Sequence, residues 1–259
     1  MDTVPNIIHF CYFGGLEFSL INYLAVRSAY EVNKPDQIYF YTSEDPGGEW
    51  YEQAKQYLTV VPTTFPDKIF GVDVPHPAHK ADIIRLQKLI ELGGIYLDWD
   101  IICAKPFTPL RQFRTVLGEE IYDGHKVGLC NAVILARPQE NFTKRWLEGF
   151  DPNKSLWHGF RSTGPDLYYS EMPVKYPHFL SLFYPEEIHV EPKESFFYPS
   201  YFAPELEEFF TTDSHRFDGA YCYHLWNNAA YDKYLKDITP EKIKTEDTAF
   251  TRLARPFLP

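Results

Sequence analysis

The chain has 259 residues, of which 44% are hydrophobic, so it can bury a full core in one large domain. Its formal net charge of −11 argues against a nucleic-acid partner, because phosphate binding requires clustered Lys and Arg. The sequence has no apolar run of about 18 residues, so we expect no transmembrane segment. The acidic N-terminus and His9 in the first apolar run are unlike a signal peptide, and we expect a cytoplasmic protein.

Strand and helix patterns alternate along the first half of the chain. The predicted elements, in chain order, are a buried strand at 4–12, a helix at 20–33, a strand at 37–42, a helix at 49–58, a short strand at 60–61, a loop at 62–78, a helix at 79–92, strands at 95–103 and 126–137, a helix at 138–150, a short helix from Asp166, a short strand at 220–226 and an amphipathic helix from Pro240. Beyond Glu171 the pattern weakens into aromatic, proline-rich loops. The opening strand–helix–strand order predicts an α/β fold with a parallel, doubly wound sheet, which binds ligands at the carboxyl ends of its strands. We find no internal repeat or linker and expect a single domain over 1–259.

The four cysteines are far apart, lie in apolar segments and lack the spacing of a zinc site. They are Cys11, Cys103, Cys130 and Cys222. We expect buried free thiols. Aromatic residues make up 17% of the chain, and together with 21 prolines they predict many loops that line a cleft. Ring stacking on sugars or bases is one use of such residues, and ordinary core packing is the commoner one.

Residues 79–100 are the most informative segment. They read as an amphipathic helix, two glycines that end it, and an apolar strand that carries Asp98 and Asp100. Residues two apart on a strand point to the same face. Two close like charges are costly unless a cation lies between them, and carboxylate oxygens suit Mg²⁺ or Mn²⁺. An isolated pair of this kind also fits two surface acids, but in this context it predicts a metal-dependent enzyme acting on a nucleoside diphosphate compound.

Three further groups are candidates for the same site. Asp82 and Arg85 share a helix face, either as a surface ion pair or as ligands for sugar hydroxyls. Residues 9–15 join the first strand to its loop, either as core aromatics and a turn or as a nucleobase site with glycines that allow close approach. His224 and Trp226 are either structural or, respectively, a third metal ligand and an indole N–H donor for a phosphate.

In this order, the four pieces resemble glycosyltransferase family 32, which carries a DXD motif, and the related catalytic domains of large clostridial glucosylating toxins. The family pattern is I-H-x-x-W-x-G, then S/A-D-x-x-R, then G-G-x-Y-x-D-x-D, then a late His or Ser followed by Trp. The corresponding segments are Ile8–Gly14, Ala81–Arg85, Gly93–Asp100 and His224–Trp226. The match covers about 4–137 and the last strand, and 171–218 carry no family signal.

The resemblance implies a GT-A fold, with a Rossmann-like central sheet, flanking helices and a loop-rich C-terminal part. It also implies retaining transfer of a hexose from a nucleotide sugar. Asp100 would bind Mn²⁺ (or Mg²⁺) directly, and Asp98 would contact the ribose and the metal shell. Asp82 and Arg85 would hold hydroxyls of the donor sugar, and Trp226 would donate to the β-phosphate.

The remaining assignments also follow from the resemblance. Tyr12 takes the place of the base-stacking Trp, in a nucleotide-binding segment with His9, Phe10 and Gly14. Asn131 matches a family Asn near the sugar. His224 stands where toxin-like members have Ser, and imidazole is a reasonable third ligand for Mn²⁺.

We expect UDP-hexose as the donor, with GDP-mannose second because we find no guanine-reading motif. A glycan, a lipid-linked sugar or a protein remains open as the acceptor. The donor side should lie in about 1–137, and the acceptor-side loops and closing strand in about 138–259. The sequence indicates no nucleophile for the sugar's β face, so we favour front-side attack over a covalent carboxylate intermediate.

Two other functions are compatible with part of this pattern. A haloacid dehalogenase-type phosphatase also has D-x-D after an apolar strand, but a Thr or Val follows its second Asp by two residues, where this chain has Ile102. No later Gly-Asp-x-x-x-Asp pair is visible either. The other alternative is a GT-A protein that binds nucleotide sugar without turning it over. The intact set of Asp82, Arg85, Asp98 and Asp100 argues against it.

Overall fold

The computed structural model describes residues 3–13, 17–161, 169–214 and 219–259. The predictions for Gly14, Gly15 and the short helix from Asp166 therefore lie outside the described residues. The strands are β1 (Ile7–Tyr12), β2 (Gln37–Thr42), β3 (Thr59–Pro62), β4 (Lys68–Ile69), β5 (Val72–Asp73), β6 (Gly94–Leu97), β7 (Ile101–Cys103), β8 (Thr115–Tyr122), β9 (His125–Ala136), β10 (His189–Glu191) and β11 (Cys222–His224). The α-helices are α1 (Leu20–Asn33), α2 (Glu49–Ala54), α3 (Pro77–Leu92), α4 (Asn141–Glu148), α5 (Tyr176–Phe183), α6 (Lys193–Phe196), α7 (Ala203–Thr211), α8 (Asn227–Ala230), α9 (Pro240–Thr245) and α10 (Ala249–Ala254).

The central sheet is mixed rather than parallel. Among the described residues it has seven strands in the order β10-β8-β9-β6-β1-β2-β3. β1 pairs in parallel with β2 and β6, as the opening β-α-β pattern predicts, but β9 runs antiparallel to both β6 and β8. The α/β class is confirmed, and the all-parallel arrangement is wrong because a hairpin supplies two of the strands.

That hairpin contains β8, which the sequence pattern did not predict. Gly118, Glu119 and Glu120 interrupt the apolar pattern of this strand. Tyr122 pairs with His125 across the two-residue turn Asp123-Gly124, whose φ angles are +47° and +74°. Asp-Gly favours such tight hairpin turns, so this dipeptide was the signal that could have revealed the strand.

The two faces of the sheet pack against different helices. Ile95 and Leu97 of β6 lie in the buried cluster that contains the apolar face of α1, whereas Tyr96 lies in the cluster of α3. β1 alternates in the same way, with Phe10 on the α1 side and Cys11 on the α3 side. The two-residue period of the strands thus places helices on both faces of one layer.

The corner between α3 and β6 requires its two glycines. Gly93 and Gly94 have φ of +65° and +110°, which L side chains rarely adopt. A Cβ on Gly94 would lie 2.6 Å from Ile7 Cγ1, and one on Gly93 would lie 2.6 Å from Pro138 Cδ. The chain can therefore turn directly from the helix into a strand beside β1, which brings the end of β6 to the sheet edge where ligands are expected.

The C-terminal part is more helical than the sequence pattern indicated. α5, α6 and α7 lie where aromatic, proline-rich loops were expected, because several prolines stand in the first turn of a helix, where the missing N–H has no intrahelical role. The amphipathic helix predicted from Pro240 is divided into α9 and α10, and Thr248 caps the second. No helix among the described residues is long and apolar enough to cross a membrane.

The other predicted boundaries need smaller changes. α2 stops at Ala54 and continues as a 3₁₀ turn, and α4 begins at Asn141 rather than Pro138. Two-residue strands β4 and β5 interrupt the loop predicted at 62–78. All four cysteines are buried free thiols, as expected.

Candidate active site

The strand predicted at 95–103 is broken at its two carboxylates. β6 ends at Leu97, a turn contains Trp99 and Asp100, and the Ile101 N–H donates to the Asp98 carbonyl at 3.1 Å. Asp98 and Asp100 face the same group, as predicted, but they are not alternate residues of one strand. The turn, rather than the strand period, places them together at the edge of the sheet.

Pairing between β11 and β7 brings His224 to this turn. His224 stands opposite Ile101, and the next residue, Leu225, donates its N–H to the Asp100 carbonyl at 3.0 Å. His224 Nε2 lies 3.3 Å from Asp100 Oδ1. Asp98, Asp100 and His224 each offer one ligand atom, and these three atoms lie within 4.8 Å of one another. The structure thus assembles the three residues proposed from sequence as metal ligands.

This group fits a hard divalent cation. Two carboxylates and one imidazole form a donor set suited to Mn²⁺, and Nδ1 of the buried His224 has no hydrogen-bond partner among the described residues. Burial opposes the charge on Asp100, but His224 and a 2.8 Å hydrogen bond from the Asn227 N–H hold its pKa below the usual value. Burial likewise opposes the charge on His224, yet Asp100 raises its pKa. The two residues pair with each other here, and a divalent cation held by this group would take the place of the imidazole proton.

A buried network around Arg85 adjoins the candidate metal ligands. Arg85 lies 3.3 Å from Oδ1 of both Asp82 and Asp98, and it donates to the Asn131 carbonyl at 2.7 Å. Its guanidinium carbon is 4.1 Å from the centre of the Tyr96 ring. Asp82 and Arg85 are only 4% and 5% exposed, which excludes the surface ion pair weighed from sequence. Asp98 belongs to both this network and the metal group.

Two hydrogen bonds complete the network. Asn131 Nδ2 donates to Asp82 Oδ1, and Tyr96 Oη donates to Asp98 Oδ1, both at 2.7 Å. Burial raises the pKa of Asp82 despite the nearby Arg85 charge. Burial also works against the Arg85 charge, but Tyr96 and the two carboxylates raise its pKa. Tyr96 was missed as a site residue, although its place in the G-G-x-Y-x-D segment was a usable signal.

Three described side chains of the predicted nucleobase segment, His9, Phe10 and Tyr12, lie in the core. Phe10 and Tyr12 are 0% and 1% exposed, and the Tyr12 ring meets Trp99 edge-on at 5.1 Å. His9 contacts the Tyr41 hydroxyl at 3.0 Å and the Gly93 carbonyl at 2.8 Å. These side chains therefore position the α3–β6 corner and the turn, and the structure does not place them where a base could stack.

The Trp226 indole does not have the free N–H that the predicted contact with the β-phosphate requires. Its Nε1–H donates to the Pro199 carbonyl at 2.8 Å, so this proton is not directed at a phosphate. The indole ring instead lies 4.0 Å from the His224 ring, at an angle of 37°. Trp226 thus packs against a candidate metal ligand. Asn227, which the sequence did not indicate, supplies the backbone donor for Asp100.

Known proteins similar to this chain in sequence or in structure include glycosyltransferases and a glucan-organizing enzyme. The profile of a family described as "Glycosyltransferase sugar-binding region containing DXD motif" matches residues 11–117. "Glucan organizing enzyme 1" of Cryptococcus neoformans var. grubii is 33% identical over 272 aligned positions, which cover 98% of this chain and 71% of that protein. The glycosyltransferase GlyE of Streptococcus pneumoniae TIGR4 is similar in structure, with a TM-score of 0.53 at 15% identity over 98% of this chain and 60% of GlyE. An active-site mutant of LgtC gives a TM-score of 0.46 at 13% identity over 97% of this chain and 94% of LgtC.

The fold is that of the GT-A glycosyltransferases. The chain belongs to the glycosyltransferases whose sugar-binding region contains a DXD motif, and its D-x-D is Asp98-Trp99-Asp100. The resemblance deduced from four short segments is thereby confirmed. The alignment to the Cryptococcus protein covers 98% of this chain, so the chain is a glycosyltransferase and not a phosphatase of the haloacid dehalogenase type.

Proposed function

We propose that this glycosyltransferase transfers a hexose from a nucleotide sugar with retention of anomeric configuration and with Mn²⁺ or Mg²⁺. UDP-hexose is the preferred donor, and GDP-mannose is second. The observation that carries the proposal is that Asp98 belongs to two clusters of side chains, the candidate metal ligands and the Arg85 network. This carboxylate belongs to the Asp98–Asp100–His224 group and also contacts Arg85 at 3.3 Å.

The residues divide the work by their chemistry. Asp98, Asp100 and His224 would hold the cation, which as a Lewis acid offsets the negative charge of a leaving diphosphate. Asp82 and Arg85 offer acceptors and donors for sugar hydroxyls, and Asn131 holds Asp82 in place. Because these groups are already fixed by one another, little reorganisation is needed when a donor binds.

For retention we favour front-side attack. The acceptor hydroxyl oxygen forms the new bond to the anomeric carbon, the bond to the diphosphate breaks, and the hydroxyl proton leaves with the diphosphate. We keep the donor side in about 1–137 and the acceptor side in about 138–259, with His224 as the contribution of the second part to the metal group. A covalent sugar adduct on an Asp or Glu would contradict front-side attack.

The setting of the reaction is a further part of the proposal. The name of the Cryptococcus relative connects that protein to glucan organisation. A role in polysaccharide synthesis would fit a hexosyltransferase of this family. We therefore include glucans among the acceptors to be tested.

The first experiment measures release of free nucleoside diphosphate from a panel of nucleotide sugars, with Mn²⁺ or with EDTA. Wild type is compared with Asp100→Ala and with the control Asp73→Ala. In wild type the Asp73 carboxylate is exposed and lies 3.1 Å from the Lys68 ammonium group. We expect metal-dependent release from one donor, lost in Asp100→Ala and kept in the control. Donor binding is measured on the same samples, because slow hydrolysis without an acceptor can escape detection.

The outcomes separate the alternatives. Metal-dependent binding without turnover, with every acceptor offered, would favour the non-catalytic nucleotide-sugar-binding protein. Absence of both binding and release with every donor would refute the proposal.

A further inference from the structure

A row of aromatic rings leads from the candidate metal group to the surface. The centre of the Trp226 ring is 4.0 Å from that of His224 and 5.0 Å from that of Tyr201. Tyr201 in turn stacks on Tyr122 at 4.7 Å, with 25° between the ring planes. Exposure rises along the row, from 7% at His224 to 41% at Tyr122. We call Tyr122, Tyr201 and Trp226 the aromatic row.

The members of the row are held in place by surrounding groups. The Trp226 indole donates to the Pro199 carbonyl at 2.8 Å. The Tyr201 ring lies between those of Tyr122 and Trp226, at 4.7 and 5.0 Å from their centres. Tyr122 stands at the Asp123-Gly124 turn of the β8–β9 hairpin, where Phe202 meets its ring edge-on at 5.6 Å. Because the rings are already ordered, a ligand that packs on them loses little additional conformational entropy.

The chemistry of the row favours a carbohydrate. A pyranose has one face of C–H groups, which packs on an aromatic ring, and a rim of hydroxyls, which stays in water. Tyr and Trp rings offer a large apolar face with a polar edge, and this suits such a ligand. A lipid chain would instead be better served by flexible aliphatic side chains, and the net charge of −11 disfavours an anionic lipid surface.

The position of the row indicates which of the two substrates, donor or acceptor, it would bind. Its buried end contacts His224, so a chain lying on it would have its inner end beside the metal group and its outer end at the protein surface. We propose that the aromatic row is the acceptor subsite, and that the acceptor is a glycan chain of several sugar residues. This inference rests on the proposed function and narrows its acceptor class.

The test compares Tyr122→Ala/Tyr201→Ala with wild type and with Tyr30→Ala. Tyr30 is a matched control because it is also a tyrosine, is 38% exposed, and packs on Tyr57 away from the aromatic row. The probes are laminaripentaose, maltopentaose, cellopentaose and mannopentaose. Binding is measured by titration calorimetry without donor, and transfer is measured as kcat and KM with the donor found above. Thermal unfolding and near-UV circular dichroism verify that each variant is folded.

We expect wild type to bind at least one of the four probes and the double variant to bind it about tenfold more weakly, because both exposed ring faces are lost. The ratio of glycan transfer to donor hydrolysis should fall by a similar factor through KM, and Tyr30→Ala should match wild type. The single variant Tyr201→Phe keeps the ring and loses the hydroxyl, so it should retain most of the wild-type binding.

Equal binding and transfer by wild type and the double variant would overturn the inference. So would failure of wild type to use any of the four glycans while transferring to a lipid-linked sugar or to a protein. If wild type showed neither metal-dependent donor binding nor hydrolysis, the proposed function would fail. Loss of glycan binding in the double variant would then still support a glycan site on the row.

Discussion

Replacing Arg85 by Met should strongly destabilise the protein, because Arg85 pairs with two carboxylates of the network. Its side chain is 6% exposed, lies 3.3 Å from both Asp82 and Asp98, and donates to the Asn131 carbonyl. Methionine retains a long apolar side chain over the Tyr96 ring but removes the charge and the hydrogen bonds. Asp82, whose side chain is 6% exposed, would then be a buried carboxylate without its cation.

The expected loss follows from that burial. Removing one partner of a buried ion pair costs about 3–5 kcal/mol, much of it from the charge that is left behind. A typical domain is stable by only about 5–15 kcal/mol, so Arg85→Met should lose a large fraction of its free energy of unfolding. Adding Asp82→Asn to this variant removes the stranded charge and should recover about 1 kcal/mol or more.

Urea unfolding at neutral pH, followed by far-UV circular dichroism, measures these differences at constant m value. The control is Lys233→Met. Lys233 also lies over a tyrosine ring, at 5.0 Å from the centre of Tyr234, and pairs with Glu207 at 3.5 Å, but the two side chains are 62% and 61% exposed. Solvent screens this pair, so we expect a much smaller loss than for Arg85→Met. Equal losses in the two variants, or no recovery on adding Asp82→Asn, would refute the reasoning.

Two other predictions concern the α3–β6 corner. Gly94→Ala should destabilise by several kcal/mol in the same assay, since its Cβ would meet Ile7 at 2.6 Å. A Cβ on Gly124 would meet no described atom within 4 Å, so Gly124→Ala should cost only the strain of a positive φ, about 1 kcal/mol. Similar losses in the two variants would contradict the close approach at Gly94. Burial lowers the pKa of His9 from 6.5 to about 4, so the stability contributed by the neutral imidazole is complete above pH 6.5 and is lost progressively as the pH falls from 6.5 through about 4. Wild type should therefore lose about 2–3 kcal/mol more than His9→Gln between about pH 8 and about pH 4.5, and parallel losses would show that His9 does not titrate in this way.

Local patterns were sufficient for the elements near the active site. The 3.6-residue period of α3, the two glycines after it and the apolar run of β6 all depend on neighbours in the sequence, and each is present in the structure. For the same reason α1 and β2 were predicted with the bounds observed. By contrast, Tyr12 and Phe10 could not be assigned to core or cleft, because an aromatic residue at a strand end is compatible with both.

What the sequence determined by itself was the set of residues with the right chemistry: the D-x-D carboxylates, the Asp82–Arg85 pair and a late histidine. The tertiary structure alone decided how they meet. Strand pairing of β11 with β7 brings His224 to Asp100, a turn orients the two carboxylates, and the fold directs the Trp226 N–H to Pro199. Such contacts depend on backbone hydrogen bonds between distant segments, which form only when the whole core is packed. A local sequence pattern carries no information about that pairing.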